Sequence, residues 1–138
     1  MTELIKQMIE RLRAAVPDLR EVHALAHEDI LPESSAFPCA GVKDGNIEGE
    51  YFGGADDREY TVRISVYVSV VDDENNILGL VHEKGILELT ATVRDALTRW
   101  DADGYQWLAM VEDRASEAMS SADRPIQRKT FVMKWVSS

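Results

Sequence analysis

The sequence predicts an α+β fold, a mostly antiparallel sheet of about four strands with two helices packed on one face. Three observations carry this. Tyr60, Val62, Ile64, Val66, Val68 and Val70 are apolar at every second position, with Thr61, Arg63, Ser65, Tyr67 and Ser69 between them. Two other segments repeat apolar residues at the 3-and-4 spacing of a helix face. The elements also run helix, strands, helix, two strands, so the helices are segregated instead of alternating with strands. A strand with one apolar and one semi-polar face fits antiparallel pairing, since buried parallel strands are apolar on both sides.

The elements follow in order. Leu4, Ile5, Met8, Ile9, Leu12 and Val16 form the face of the first helix, with Thr2 placed as its N-cap. Pro17 closes it near Val16, because a residue before proline avoids the helical region. LREVHALA, residues 19–26, is ambiguous and is open to a short strand with Val22, Ala24 and Ala26 on one side. HEDILPESSAFP, carrying Pro32 and Pro38, reads as a loop. A short strand near Ala40 to Lys43, a turn at KDGN and a glycine-rich loop lead into the long strand Arg58 to Val71. That strand is well beyond the usual length of about five or six residues.

The strand breaks at DDENN. Ile86, Leu89, Val93, Leu97 and Trp100 then form a second helix face, with Glu88, Thr90, Arg94 and Asp95 at its polar positions. DADG, Asp101 to Gly104, ends it. YQWLAMVED is the next main strand. RASEAMSSADRPI reads as a loop, with at most one helical turn in SEAMSS. QRKTFVMKWVS is the last strand, with Phe131, Met133 and Trp135 on one face and Thr130, Val132, Lys134 and Val136 on the other.

A chain of 138 residues, 45% hydrophobic, is expected to form a single domain spanning 1–138 with a real core. No run approaches the ~18 apolar residues of a membrane span. Glu3 and Lys6 interrupt the N-terminal apolar pattern, unlike the centre of a signal peptide, so a cytosolic site of synthesis is expected. The formal net charge of −10, from 25 acids against 15 bases, argues against a general nucleic-acid binder. It is compatible with a surface that DNA must pass without sticking. Cys39 is the only cysteine, which leaves no intrachain disulfide and no cysteine-based zinc site. Its expected role is that of a small buried hydrophobe.

Catalytic motifs are sparse. His23 and His27 in HALAHED are four apart, but Ala24 stands where a zinc hydrolase of the His-Glu-x-x-His type needs glutamate. The segment certifies no ligand set, and no metal is expected. Asp56–Asp57, Asp72–Glu74 and Asp101–Asp103 are acidic clusters without the alternation of a calcium loop, and read as solvated loop tips. Neither a Gly-x-Ser-x-Gly elbow nor a Walker-type loop is present.

The whole-chain pattern nevertheless resembles a family. LIKQMIERLRAAVP, FPCAGVKDG, YTVRISVYVSVV, GILELTATVRDAL and the final strand ending RKTFVMKWV follow one another as in the small tail-terminator, or tail-completion, proteins of long-tailed bacteriophages and prophages. The likeness covers nearly the full length and lies in element order and hydrophobic pattern. It implies a structural protein without enzymatic activity or cofactor. Such proteins form a homo-oligomeric ring, typically of six subunits, that caps the tail tube, ends its polymerisation and offers the head-docking surface. The implied partners are the tail-tube protein and a head-completion protein. DNA passes through without specific binding, and the implied locations are the bacterial host cytoplasm during assembly and then the virion tail. On this reading Arg63 and Tyr67 belong to a subunit interface, and Asp72, Asp73 and Glu74 face the lumen or docking rim, where acids would repel phosphates. The alternatives are another phage connector or a tail-tube-type subunit, and a small enzyme with a site dispersed over loops.

Overall fold

The computed structural model describes residues 1–52, 55–69, 79–80, 83–121 and 123–137. It holds two helices, α1 (Thr2–Ala15) and α2 (Ile86–Leu97). The strands are β1 (Glu21–Ala24), β2 (Cys39–Phe52), β3 (Ala55–Ser69), β4 (Gly79–Leu80), β5 (Glu83–Lys84), β6 (Tyr105–Asp113), β7 (Glu117–Ser121) and β8 (Arg124–Ser137). The main sheet has six strands in the order β1-β2-β3-β8-β6, with β7 also paired to β8; β4 and β5 form a separate small ladder.

The α+β class and the two helices agree with expectation, and the sheet does not agree in detail. It has six strands rather than about four, and it is mixed, because β1 runs parallel to β2. A parallel neighbour needs a crossover of about a dozen residues or more. Residues 25–38 supply it, which is why this proline-bearing stretch is a long loop.

The helices take their place from their apolar stripes. Leu4, Met8, Leu12 and Val16 of the first helical segment and Ile86, Leu89, Val93 and Leu97 of α2 are fully buried. They meet Val62, Ile64 and Val66 of β3 and Phe131, Met133 and Trp135 of β8 in one cluster. Each such side chain contributes roughly 1.5–3 kcal/mol by leaving water. Trp135 satisfies its indole by donating to the Trp100 carbonyl at 2.9 Å. Met1, not Thr2, is the N-cap of α1, and no side chain caps it.

Two further differences are local. KDGN is not a turn, since β2 runs through it and the register shifts between Asp44 and Ile47. Gly45 and Asn46 there stand opposite the single residue Thr61, as in a bulge. The stretch read as a loop before the last strand contains β7, paired from Glu117↔Arg128 to Ser121↔Arg124. EAMSS carries no strand-like alternation, so it becomes a strand through its partner. At the other end, β2 and β3 remain paired from Gly49↔Arg58 to Phe52↔Ala55, past the last β3–β8 pair, Glu59↔Val136.

Candidate functional site

The sheet face away from the helices carries the chain's polar machinery. Ser65 and Thr130 stand directly opposite one another on β3 and β8, and their buried hydroxyls are 2.7 Å apart. The pair two residues along is Tyr67↔Arg128. Residues of the 25–38 crossover pack above them. Leu25, Leu31, Cys39, Tyr67 and Ile126 form a second apolar cluster, with Phe37 and Met119 against it.

Arginines from β8 and its neighbours hold this crossover down. Arg124 donates to the carbonyls of Ser35 at 2.8 Å and Glu33 at 3.0 Å, and lies over the Phe37 ring at 4.8 Å. The Glu28 carbonyl accepts two bonds, from the Tyr67 hydroxyl at 2.5 Å and from Arg128 Nη1 at 3.0 Å. Arg128 also donates to the carboxylates of Asp29 and Glu117. The Glu28 carboxylate accepts from Arg114 Nη1 at 3.0 Å and lies 3.9 Å from Arg63 Nη1. These are planar guanidinium forks meeting carbonyls and carboxylates, the geometry for which arginine is suited.

The environment fixes protonation states here. Burial would pull the Arg128 guanidinium down, but hydrogen bonds to Asp29 and Glu117 outweigh it and hold the value above the usual one. The bond from Arg128 holds Asp29 below the usual carboxylate range. Burial pushes the Tyr67 hydroxyl and the Cys39 thiol each up to about 12. None of these four groups is poised near neutral pH as an acid–base catalyst or reactive thiolate is. The arrangement is suited to clamping a crossover onto a sheet with fixed charges. Glu28 Oε2 and Arg128 Nε are buried without a hydrogen-bond partner among the described residues.

The positions expected to form an interface divide. Arg63 keeps 41% of its side-chain surface and reaches toward Glu28. Tyr67 is fully buried within the single chain. Within the single chain the crossover already covers Tyr67, so of the two residues assigned to an interface only Arg63 is partly exposed. Asp72, Asp73 and Glu74 lie outside the described residues. His23 and His27 do not share a helix face, since His23 is in β1 and His27 follows it in a turn. His23 Nε2 is 2.8 Å from Glu21, and the Asp29 amide donates to His27 Nδ1 at 3.1 Å. Cys39 is buried, and its thiol is free. Thr90, placed on the polar side of α2 from the sequence, is fully buried. Arg114 and Arg128 were not singled out from the sequence, and Glu28 was noted only as an acid following His27. Their only signal was a surplus of charge in loop and strand positions.

The two outer strands complete the surface. Beside β1 is an open pocket of about 350 Å³ lined by Arg13, Leu19, Arg20, Glu21, Val22 and His23. On β6 the register shifts twice, between Trp107 and Ala109 and between Met110 and Glu112. The residues skipped are Leu108 and Val111, and these are 45% and 49% exposed. Among the described residues, no helix is long and apolar enough to cross a membrane.

No protein-family model matches the chain. No curated protein matches it either. Among solved structures, the gp17 protein of bacteriophage SPP1 is similar, with a TM-score of 0.51 and 13% sequence identity over 99% of this chain and 90% of that one. At that identity the likeness is one of fold.

Proposed function

We propose that this chain is a structural protein of a phage or prophage tail, acting as a homo-oligomeric ring that caps the tail tube. In that role it ends tube polymerisation and forms the surface on which the head docks. The single observation that supports this best is the shared fold, end to end, with a bacteriophage protein. The polar face supports it further, because its charges are consumed in clamping the crossover and are not poised for chemistry. The chain then acts without catalysis or cofactor, and Cys39→Ser, His23→Ala and His27→Ala leave assembly intact apart from stability losses. Its partners are the tail-tube and head-completion proteins, its locations the host cytoplasm and then the virion tail. Arg63 belongs to a subunit contact, and Asp72, Asp73 and Glu74 line the lumen or rim, where they keep DNA from sticking.

Self-association across salt, together with binding to purified tail tubes, tests this. A net charge of −10 repels copies at low salt, so added salt promotes oligomers. Closed rings that bind tube ends support the reading. Open tubes would favour a tail-tube-type subunit instead. A chain that stays monomeric at every salt and concentration, and ignores tail tubes, removes its support.

A further inference from the structure

The strands β1 and β6 are the two opposite ends of the main strand path. Each carries exposed features, and the features are complementary.

On β1 the outer edge is blunted, because Arg13 Nη2 donates to the Val22 carbonyl at 3.1 Å. The pocket beside it has a buried apolar floor, Leu19 and Val22. Arg13 and Arg20 are exposed at its rim. Glu21 is the one acid lining it, and that carboxylate is engaged by the Ala36 backbone and by His23, which lowers its pKa. On a chain with ten excess negative charges, this is a local cationic site.

On β6 the outer edge is also blunted, because the Trp107 amide donates to Asp101 Oδ1 at 2.8 Å. Backbone augmentation is thus disfavoured at both edges, and contact must come through side chains. A regular strand would alternate Leu108 and Val111 with its neighbours. The two register shifts fall at Leu108 and Val111, and both aliphatic side chains stand about half exposed, at positions where bulges commonly re-aim side chains. Glu112 follows Val111 directly; its carboxylate accepts from Arg114 Nε at 3.0 Å through Oε1 and stays half exposed, open to a second cation.

We infer that the β6 edge of one copy, through Leu108, Val111 and Glu112, seats in the Arg13–Arg20 pocket at the β1 edge of a second copy. The aliphatic pair meets Leu19 and Val22, and Glu112 faces Arg20. Because the two surfaces differ and lie at opposite ends of the sheet, the contact is head-to-tail. Such a contact repeats, and it closes into a ring when the rotation permits. The inference rests on the self-assembly reading above and assigns its surfaces.

Two single variants and their mixture test it. Arg20→Glu sets an acid against Glu112, and Val111→Lys sets a cation against Arg13 and Arg20. Both positions are exposed, so each variant is expected to keep the wild-type circular dichroism spectrum and melting temperature. Self-association is read by sedimentation velocity over a concentration series, at a salt concentration where the wild type assembles. Each variant alone is expected to weaken association by about tenfold or more, since like charges juxtaposed in an interface repel. A 1:1 mixture is expected to recover assembly to within about threefold of wild type, because every junction in an alternating assembly is again complementary. Unchanged association of the folded single variants overturns the inference and leaves the ring reading standing, as does a mixture no better than its components. A wild type that never self-associates overturns both.

Discussion

The hydroxyl of Tyr67 donates a 2.5 Å hydrogen bond to the carbonyl oxygen of Glu28, 39 residues away, and so ties the middle of the sheet to the crossover above it. Tyr67 is fully buried. Tyr67→Phe keeps the ring and removes the bond, while Arg128 still donates to the same carbonyl. The expected loss is about 0.5–1.5 kcal/mol. Tyr67→Ala adds a cavity, and the expected loss rises to about 3–5 kcal/mol, as for large aromatic truncations. Urea midpoints measure both; equal losses in the two variants would mean that the hydroxyl, not the ring, dominates, against this account.

Acid is expected to loosen the crossover before the helix-side core. The bond from Arg128 holds Asp29 below its ordinary value. The Ala36 backbone, and then His23, do the same for Glu21. A carboxylate with a depressed folded-state pKa contributes stability that is present above its unfolded value. That stability is lost as pH falls through the folded one. The window therefore opens near pH ~4, the unfolded carboxylate range, and extends below it. Stability measured between pH 6 and 2.5 should fall in this window, and Asp29→Asn should flatten the fall. An Asn variant with the wild-type slope rules out Asp29 as a contributor.

The bulge in β2 depends on a missing side chain. A Cβ on Gly45 would lie 2.6 Å from the Thr61 carbonyl oxygen and 3.1 Å from its carbon. Those are backbone atoms of the neighbouring strand, so the sheet itself has to shift. Gly45→Ala is expected to cost about 1–3 kcal/mol, the range of substitutions with a defined steric mechanism. Thermal melting decides it, and a neutral or stabilising result would show that the ladder adjusts there freely.

Thr90 offers a stabilising change. It is fully buried on α2, and its hydroxyl has no hydrogen-bond partner among the described residues. An unpaired buried polar group costs about 1–3 kcal/mol in desolvation. Thr90→Val removes that group while preserving the β-branched shape, and valine and threonine have similar helix propensities. A gain of about 1 kcal/mol is expected in the urea midpoint. A loss would mean that the hydroxyl has a partner in solution, such as a buried water.

The sequence was most legible where burial follows a local period. The alternation from Tyr60 to Val68 and in Phe131, Met133 and Trp135 anticipated which sides of β3 and β8 enter the helix-side core. The 3-and-4 spacing placed Leu4, Met8 and Leu12, and Ile86, Leu89, Val93 and Leu97, with the same success. Legibility failed where pairing made the element. EAMSS has no strand pattern and becomes β7 because Arg124 to Arg128 lies beside it. KDGN has turn chemistry and becomes a bulge because β3 continues opposite it. The candidate site was read only in part: Arg63 and Tyr67 do lie on the second face, but the segment that covers Tyr67 had read only as a turn-rich loop.

By itself, then, the sequence determined the α+β class, the two helices and the core side of the long strands. Each of these follows from how often an apolar side chain returns along a few turns or a few residues of strand. Tertiary structure alone decided that β1 runs parallel to β2 and that the second face is roofed by residues 25–38. It also decided that Arg128 spends its charge on Asp29 and Glu117, and that Leu108 and Val111 are turned out to solvent. These outcomes depend on partners far apart in the chain; Arg128 and Glu28 are separated by 100 residues. Hydrogen bonds and ion pairs are short-ranged and directional, so their partners are fixed only once the hydrophobic core has brought those strands together.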